Sequence, residues 1–166
     1  MVSGLVIPAN EAAPAELQDF PDFEQFQVAV DGWVERIEIP SLHICLMVNE
    51  EGRWRGKPMN SRATLLWWFH VLEARQSAVI VGDVVVVGLA KRNGLPKDVP
   101  DELRVMYDER SRFGVDYRLP RSTVWTKYDW SESSDNHTYS EAAVWAMLIA
   151  ERAPVPIEVR IVSLES

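Results

Sequence analysis

The stretch Trp33-Val34-Glu35-Arg36-Ile37-Glu38-Ile39-Pro40-Ser41-Leu42-His43-Ile44-Cys45-Leu46-Met47-Val48 decides the fold class. Its first half alternates, with Trp33, Glu35, Ile37 and Ile39 on one side of an extended chain and Val34, Arg36 and Glu38 on the other. Its second half alternates more cleanly: Leu42, Ile44, Leu46 and Val48 oppose His43, Cys45 and Met47. A second side this apolar predicts a central strand, buried on both faces of a sheet.

Outward from this pair, Asn49-Glu50-Glu51-Gly52 has the residues of a turn. Arg53-Trp54-Arg55-Gly56-Lys57-Pro58 follows it, and together they predict a hairpin leaving the central strand. Asn60 or Ser61 supplies a cap for an aromatic helix through Ala63, Leu66, Trp67 and Val71. Val79 to Leu89 is almost continuously β-branched; Gly82-Asp83 marks a turn or bulge before a buried strand that Gly88 closes. On the other side, Val2 to Ile7 reads as a strand ended by Pro8, and Asn10 to Asp19 as a loop. Phe23, Phe26 and Val30 share one helical face, and Asp31-Gly32 stops that helix.

Past Asn93-Gly94-Leu95-Pro96, acidic Pro100-Asp101-Glu102-Leu103 opens a short helix. The pattern from 112 to 136 is weak, with candidate strands at Tyr117 to Pro120 and Val124 to Tyr128 and a polar loop over Ser131 to Asn136. Thr138 and Glu141 form a capping box for a helix over Tyr139 to Arg152. Ile157, Val159 and Ile161 then alternate with Glu158 and Arg160 as a strand at a sheet edge. The whole reads as one α+β domain over residues 1–166. A single mixed or antiparallel sheet of about five to seven strands is expected, with two to four helices packed on it.

Composition agrees with a globular chain: 166 residues, 47% hydrophobic and 25% charged. The single cysteine, Cys45, excludes an internal disulfide and any thiolate zinc cluster. Residues 1–10 lack a basic region ahead of their short apolar run, and no apolar run approaches the ~20 residues that span a bilayer. A cytoplasmic protein without membrane contact is expected. The net charge of −8 argues against general nucleic-acid binding. Residues 1–51 hold ten carboxylates against one cation, Arg36. This is either a solvated face or a surface that docks on a basic partner or imitates nucleic-acid phosphates.

At Val48-Asn49-Glu50-Glu51-Gly52, Gly56-Lys57-Pro58-Met59-Asn60-Ser61-Arg62-Ala63-Thr64 and Gly82-Asp83-Val84-Val85-Val86-Val87-Gly88, the chain resembles a family of uncharacterised domains. Bacteriophages, actinobacterial genomes and mobile plasmids carry such domains. The resemblance covers about residues 25–90, leaving the acidic start and the tail after Gly88 outside. It implies an accessory protein of a phage or mobile element and transfers no catalytic residue.

Chemistry-bearing residues are sparse. His43 and Cys45, two apart on one strand, would stand about 7 Å from each other, too far for a nucleophile and its base. His43, His70, His137 and the pair Glu50-Glu51 show no spacing that converges ligands on a metal. Gly82 to Gly88 is filled with valines and is no phosphate loop. No catalytic residue, metal ligand or cofactor is assigned.

The cationic cluster Arg53, Trp54, Arg55, Lys57 and Arg62 departs from its acidic surroundings, with two readings open. A basic, aromatic hairpin would contact phosphates or an acidic partner surface; alternatively, Trp54 faces the core and the arginines pair with carboxylates of residues 1–51. Trp67 and Trp68, among seven tryptophans, lie about 100° apart on their helix and cannot share one narrow face.

These residues (Arg53, Trp54, Arg55, Lys57, Arg62, Trp67 and Trp68) are the candidate binding set. The expected function is non-enzymatic binding of a host macromolecule, a host protein first. The alternatives are an acidic nucleic-acid mimic that inhibits a host DNA-binding enzyme, and a nucleic-acid binder using the basic hairpin. An edge strand at Ile157 to Val162 or an exposed tryptophan could also support a homodimer.

Overall fold

A computed structural model describes residues 1–90, 92, 94–129 and 136–164. The class is α+β, with two antiparallel sheets and four α-helices among the described residues. The chain separates into two compact units, Met1–Val105 and Met106–Ser166.

In the first unit, strands β1 (Val2–Ile7), β2 (Glu16–Phe20), β3 (Val34–Ile39), β4 (Ile44–Asn49) and β5 (Val84–Gly88) make a five-stranded antiparallel sheet in the order β2-β1-β5-β4-β3. The central strand read from alternation is β4, with all six residues buried. β3 and β4 pair from Val34 opposite Asn49 to Ile39 opposite Ile44, joined by a 3-10 turn over Pro40–Leu42. His43 closes that turn in the left-handed region (φ 54°), outside the strand that was expected to begin at Leu42.

Helix α1 (Phe23–Val30) covers one face of this sheet, where Phe26 and Val30 pack with Phe20, Cys45, Met47, Val85 and Val87. Asp22 caps its start by accepting from Gln25 N at 3.2 Å. The other face is made by residues including Leu5, Ile7, Leu46, Val84 and Val86, all buried. Fully burying each such side chain contributes roughly 1.5–3 kcal/mol. Helix α2 (Ser61–His70) runs along this face: its Trp67 lines a groove with Ile37 and Val48. Asn60 Oδ1 accepts from Ala63 N at 3.0 Å, which is the predicted cap, and Asn60 Nδ2 donates to Ile7 O and Gly82 O. Gly88 is required where β5 ends, because a Cβ there would lie 2.5 Å from Asp98 O.

Two expectations are corrected. Glu16–Phe20 is the edge strand β2, not loop; four of its five residues are exposed and only Phe20 is buried, so it shows no apolar alternation. The segment after β4 does not return as a hairpin strand. It coils into consecutive turns over residues 50–56, and the second neighbour of β4 is β5.

Helix α3 (Asp101–Met106) follows, with Asp101 and Glu102 in its first turn. The second unit contains β6 (Arg112–Arg118), β7 (Thr126–Lys127), α4 (Tyr139–Arg152) and β8 (Glu158–Leu164). Its sheet order, β7-β6-β8, leaves β8 at an edge as the sequence predicts. β6 takes in more of the weakly patterned region than was expected. The capping box of α4 is formed: Thr138 Oγ1 accepts from Glu141 N, and Glu141 Oε1 accepts from Thr138 N. Tyr139, Ala142 and Ala146 on α4 are buried in this unit. On the other side of its sheet, Arg118 and Arg160 lie 4.5 and 4.3 Å from the Trp125 ring. The polar loop over Ser131 to Asn136, all but its last residue, lies outside the described residues, as do Asn93 and Trp130.

Candidate functional site

The turns at 50–56 are held from beneath by Asn49. Its side chain is buried at the end of β4: Nδ2 donates to Val30 O at 3.0 Å and Asp31 O at 2.9 Å, and Oδ1 accepts from Glu51 N at 2.8 Å. Further bonds from Arg55 N to Glu51 O and from Lys57 N to Gly52 O, both 3.0 Å, close the turns into one coil. Gly56 occupies the left-handed region there (φ 65°), where a side chain would add strain.

The cations of the sequence cluster become braces. Arg55 donates through Nη1 to Asp31 O and through Nη2 to Asp31 Oδ2, and Lys57 Nζ donates to the same Oδ2 at 2.9 Å. The hydrogen bond and charge of Lys57, then the charge of Arg55, hold the Asp31 carboxyl below the usual carboxylate range. Asp31 itself sits at φ 60° as the C-terminal cap of α1. Arg53 donates to Val79 O at 3.2 Å, and Arg62 donates to Pro8 O at 2.7 Å and Asn10 O at 3.1 Å. Pairing of Arg55 and Lys57 with an acidic residue of the first 51 is therefore seen, whereas a core-facing Trp54 is not. Trp54 is 92% exposed.

Beside Trp54 lies a groove of about 330 Å³. Ile37 and Val48 form its sheet wall, residues 78–81 and Trp67 another, and Glu35, Glu50 and Arg53 its polar rim. Three candidate residues, Arg53, Trp54 and Trp67, thus meet at one groove. Arg55, Lys57 and Arg62 serve the scaffold. Trp68 is half-buried and donates Nε1–H to Ala78 O at 2.8 Å, which helps to hold the far wall. Sequence reasoning missed Glu35, Ile37 and the 78–81 wall; the alternation of β3, which puts Glu35 and Ile37 on one side, was the available signal. The second unit has a groove of about 440 Å³ between α4 and the strands, nearly all apolar and containing none of the candidate residues.

Elsewhere the groups with catalytic potential are placed as structure. Burial pushes the Cys45 thiol up to about 11, so it is a thiol packed in the core. Among the described residues, no three of His, Cys, Asp and Glu gather in a way that would hold a metal, and no helix is long and apolar enough to cross a membrane.

The model of the family described as "Domain of unknown function (DUF3846)" matches residues 2–112. The chain belongs to this family. The DUF3846 match is wider than the resemblance at 25–90: it takes in β1, β2 and the acidic start, and runs past Gly88 through α3 to the first residue of β6. Thus every residue around the Trp54 groove lies within DUF3846. Neither the curated proteins nor the solved structures include a match.

Proposed function

We propose that this DUF3846 chain is a non-enzymatic accessory protein of a phage or mobile element that binds a host protein, with Trp54 as the anchor. The observation that carries this reading is the exposure of Trp54 on a turn that is itself rigidly braced. Asn49 and the ion pairs to Asp31 brace the backbone that carries the indole, so less backbone entropy is lost on binding than from a mobile loop. Tryptophan beside a groove is the usual composition of an interface hot spot. The phage or mobile-element setting rests on the sequence resemblance alone.

The same bonds favour protein over nucleic acid as the partner. Asp31 pairs with the charges of Arg55 and Lys57, so a phosphate would have to compete with that carboxylate for the cluster. The experiment is affinity capture from bacterial lysate with mass spectrometry, repeated with Trp54→Ala and followed by reconstitution with the purified partner. One protein captured by the wild type and lost with Trp54→Ala supports the reading. Equal capture by both, or retention of nucleic acid in place of protein, contradicts it.

A further inference from the structure

The five-stranded sheet ends on β3, and among the described residues no strand pairs with its outer side. Glu50 N donates to Trp33 O at 2.8 Å, which makes Trp33 and Glu50 a hydrogen-bonded pair at the end of the β3–β4 ladder. Alternation of an antiparallel ladder then turns the main-chain groups of Glu35 and Ile37 toward β4, and those of Val34, Arg36 and Glu38 outward. Among the described residues nothing hydrogen-bonds to those outward groups.

The charge along this edge is acidic. Glu35 and Glu38 are exposed, and Glu50 stands on the groove rim beside Glu35. Arg36, the single cation of residues 1–51, is drawn toward the α1 side: its guanidinium lies 5.9 Å from the Phe23 ring and donates to Gly94 O at 3.1 Å. The open edge and the Trp54 groove are continuous, because Glu35 and Ile37 belong to both.

We propose that β3 is a docking edge for an extended, basic segment of a partner protein, which joins the sheet as an added strand. This rests on the reading that the partner is a protein. Main-chain bonds to Val34, Arg36 and Glu38 supply the affinity. Side chains alternating between the two faces supply the selectivity: apolar ones on the groove side meet Ile37, Trp54 and Trp67, and a lysine or arginine on the other side meets Glu38. A second copy is a poorer occupant, since its own β3 brings Glu35 and Glu38 against an equally acidic edge, and like charges across a strand pair are destabilising.

The test uses the full-length ¹⁵N-labelled chain and three synthetic peptides: acetyl-(Lys-Val)4-amide, acetyl-(Glu-Val)4-amide, and the Lys-Val peptide N-methylated at alternate amides. We expect the Lys-Val peptide to slow amide exchange at Val34, Arg36 and Glu38 at least about tenfold and to shift the Trp54 and Trp67 indole signals. The Glu-Val and N-methylated peptides should do neither, and the double variant Glu35→Lys, Glu38→Lys should lose the effect of the Lys-Val peptide.

Unchanged exchange at β3 with the Lys-Val peptide overturns the proposal, as does equal protection by the N-methylated peptide. Protection that appears without peptide as protein concentration rises assigns the edge to self-association and also overturns it. The outcome is separable from that of the preceding reading. If partner capture needs Trp54 while the β3 amides stay unprotected, only the docking edge falls; if capture ignores Trp54, only the anchor falls.

Discussion

The side-chain amide of Asn49 donates to the main-chain oxygen of Asp31 at 2.9 Å, tying the last residue of β4 to the left-handed cap of α1. With the bonds to Val30 O and from Glu51 N, this buried amide joins helix, strand and turn at one point. Asn49→Ala leaves three polar groups to find other partners, at a cost of about 1–3 kcal/mol. Asn49→Asp keeps the shape but sets a carboxylate against two carbonyl oxygens and should cost as much or more. Urea unfolding reads both; stability within about 0.5 kcal/mol of wild type for either variant would remove Asn49 as the foundation of the site.

Asp31 tests the outer brace. Its depressed carboxyl gains its partners only when ionised, so the brace is present above the unfolded value of 3.8 and is lost as pH falls through the lower folded value. Asp31→Asn tolerates the left-handed backbone but removes the charge that holds Arg55 and Lys57. Global stability should change little, while amide exchange at Arg55 and Lys57 rises and becomes insensitive to salt. Exchange identical to that of the wild type at low and high salt would show that the ion pairs do not order the turn.

His70, at the end of α2, predicts an acid sensitivity of different origin. Burial lowers it to about 4, so the fold favours the neutral ring. The unfolded chain then binds more protons between the ordinary histidine value of 6.5 and that folded value. Its contribution to stability is complete above pH 6.5, declines as pH falls below it, and stops declining below the folded value. Thermal midpoints measured from pH 7 to pH 5, above the main carboxylate titrations, should fall less steeply for His70→Phe than for wild type. Parallel slopes would contradict the assignment.

In the second unit, Trp125 bridges two ion pairs, with Arg118 bound to Glu158 at 2.5 Å and Arg160 to Asp116 at 2.9 Å. The stack links β6 to β8 on the face away from α4. Trp125→Ala should cost about 1–2 kcal/mol and speed amide exchange in β8, and Trp125→Phe should recover about half. No change in β8 exchange would mean that the ladder alone holds the strand.

What the sequence made legible was local. β1 and α4 carry their own signals, a bounded apolar strand and a capping box, and both appear where those signals place them. β4 showed its central position because both its faces are apolar. β2 was illegible because Phe20 alone is buried, and a strand with one buried residue has no period. The hairpin after Asn49 was misplaced for a different reason. Asn49 and Gly52 do make a turn, but the neighbour of β4 on that side is β5, supplied from Val84–Gly88 far along the chain. Pairing at such separation leaves no mark in local pattern. The candidate site was half legible: Arg53, Trp54 and Trp67 were named, yet nothing in Asp31-Gly32 beyond a helix stop announced that Asp31 also restrains Arg55 and Lys57.

The central claim is that Trp54 is held out in order to bind. The most direct measurement is calorimetric titration of the purified partner into wild type and Trp54→Ala, with urea unfolding of both. The account predicts a Kd raised at least about 30-fold, the ~2 kcal/mol of a hot-spot residue, with the unfolding midpoint unchanged because this exposed side chain supports nothing beneath it. An unchanged Kd, or a loss of binding that tracks a loss of folding, would contradict it.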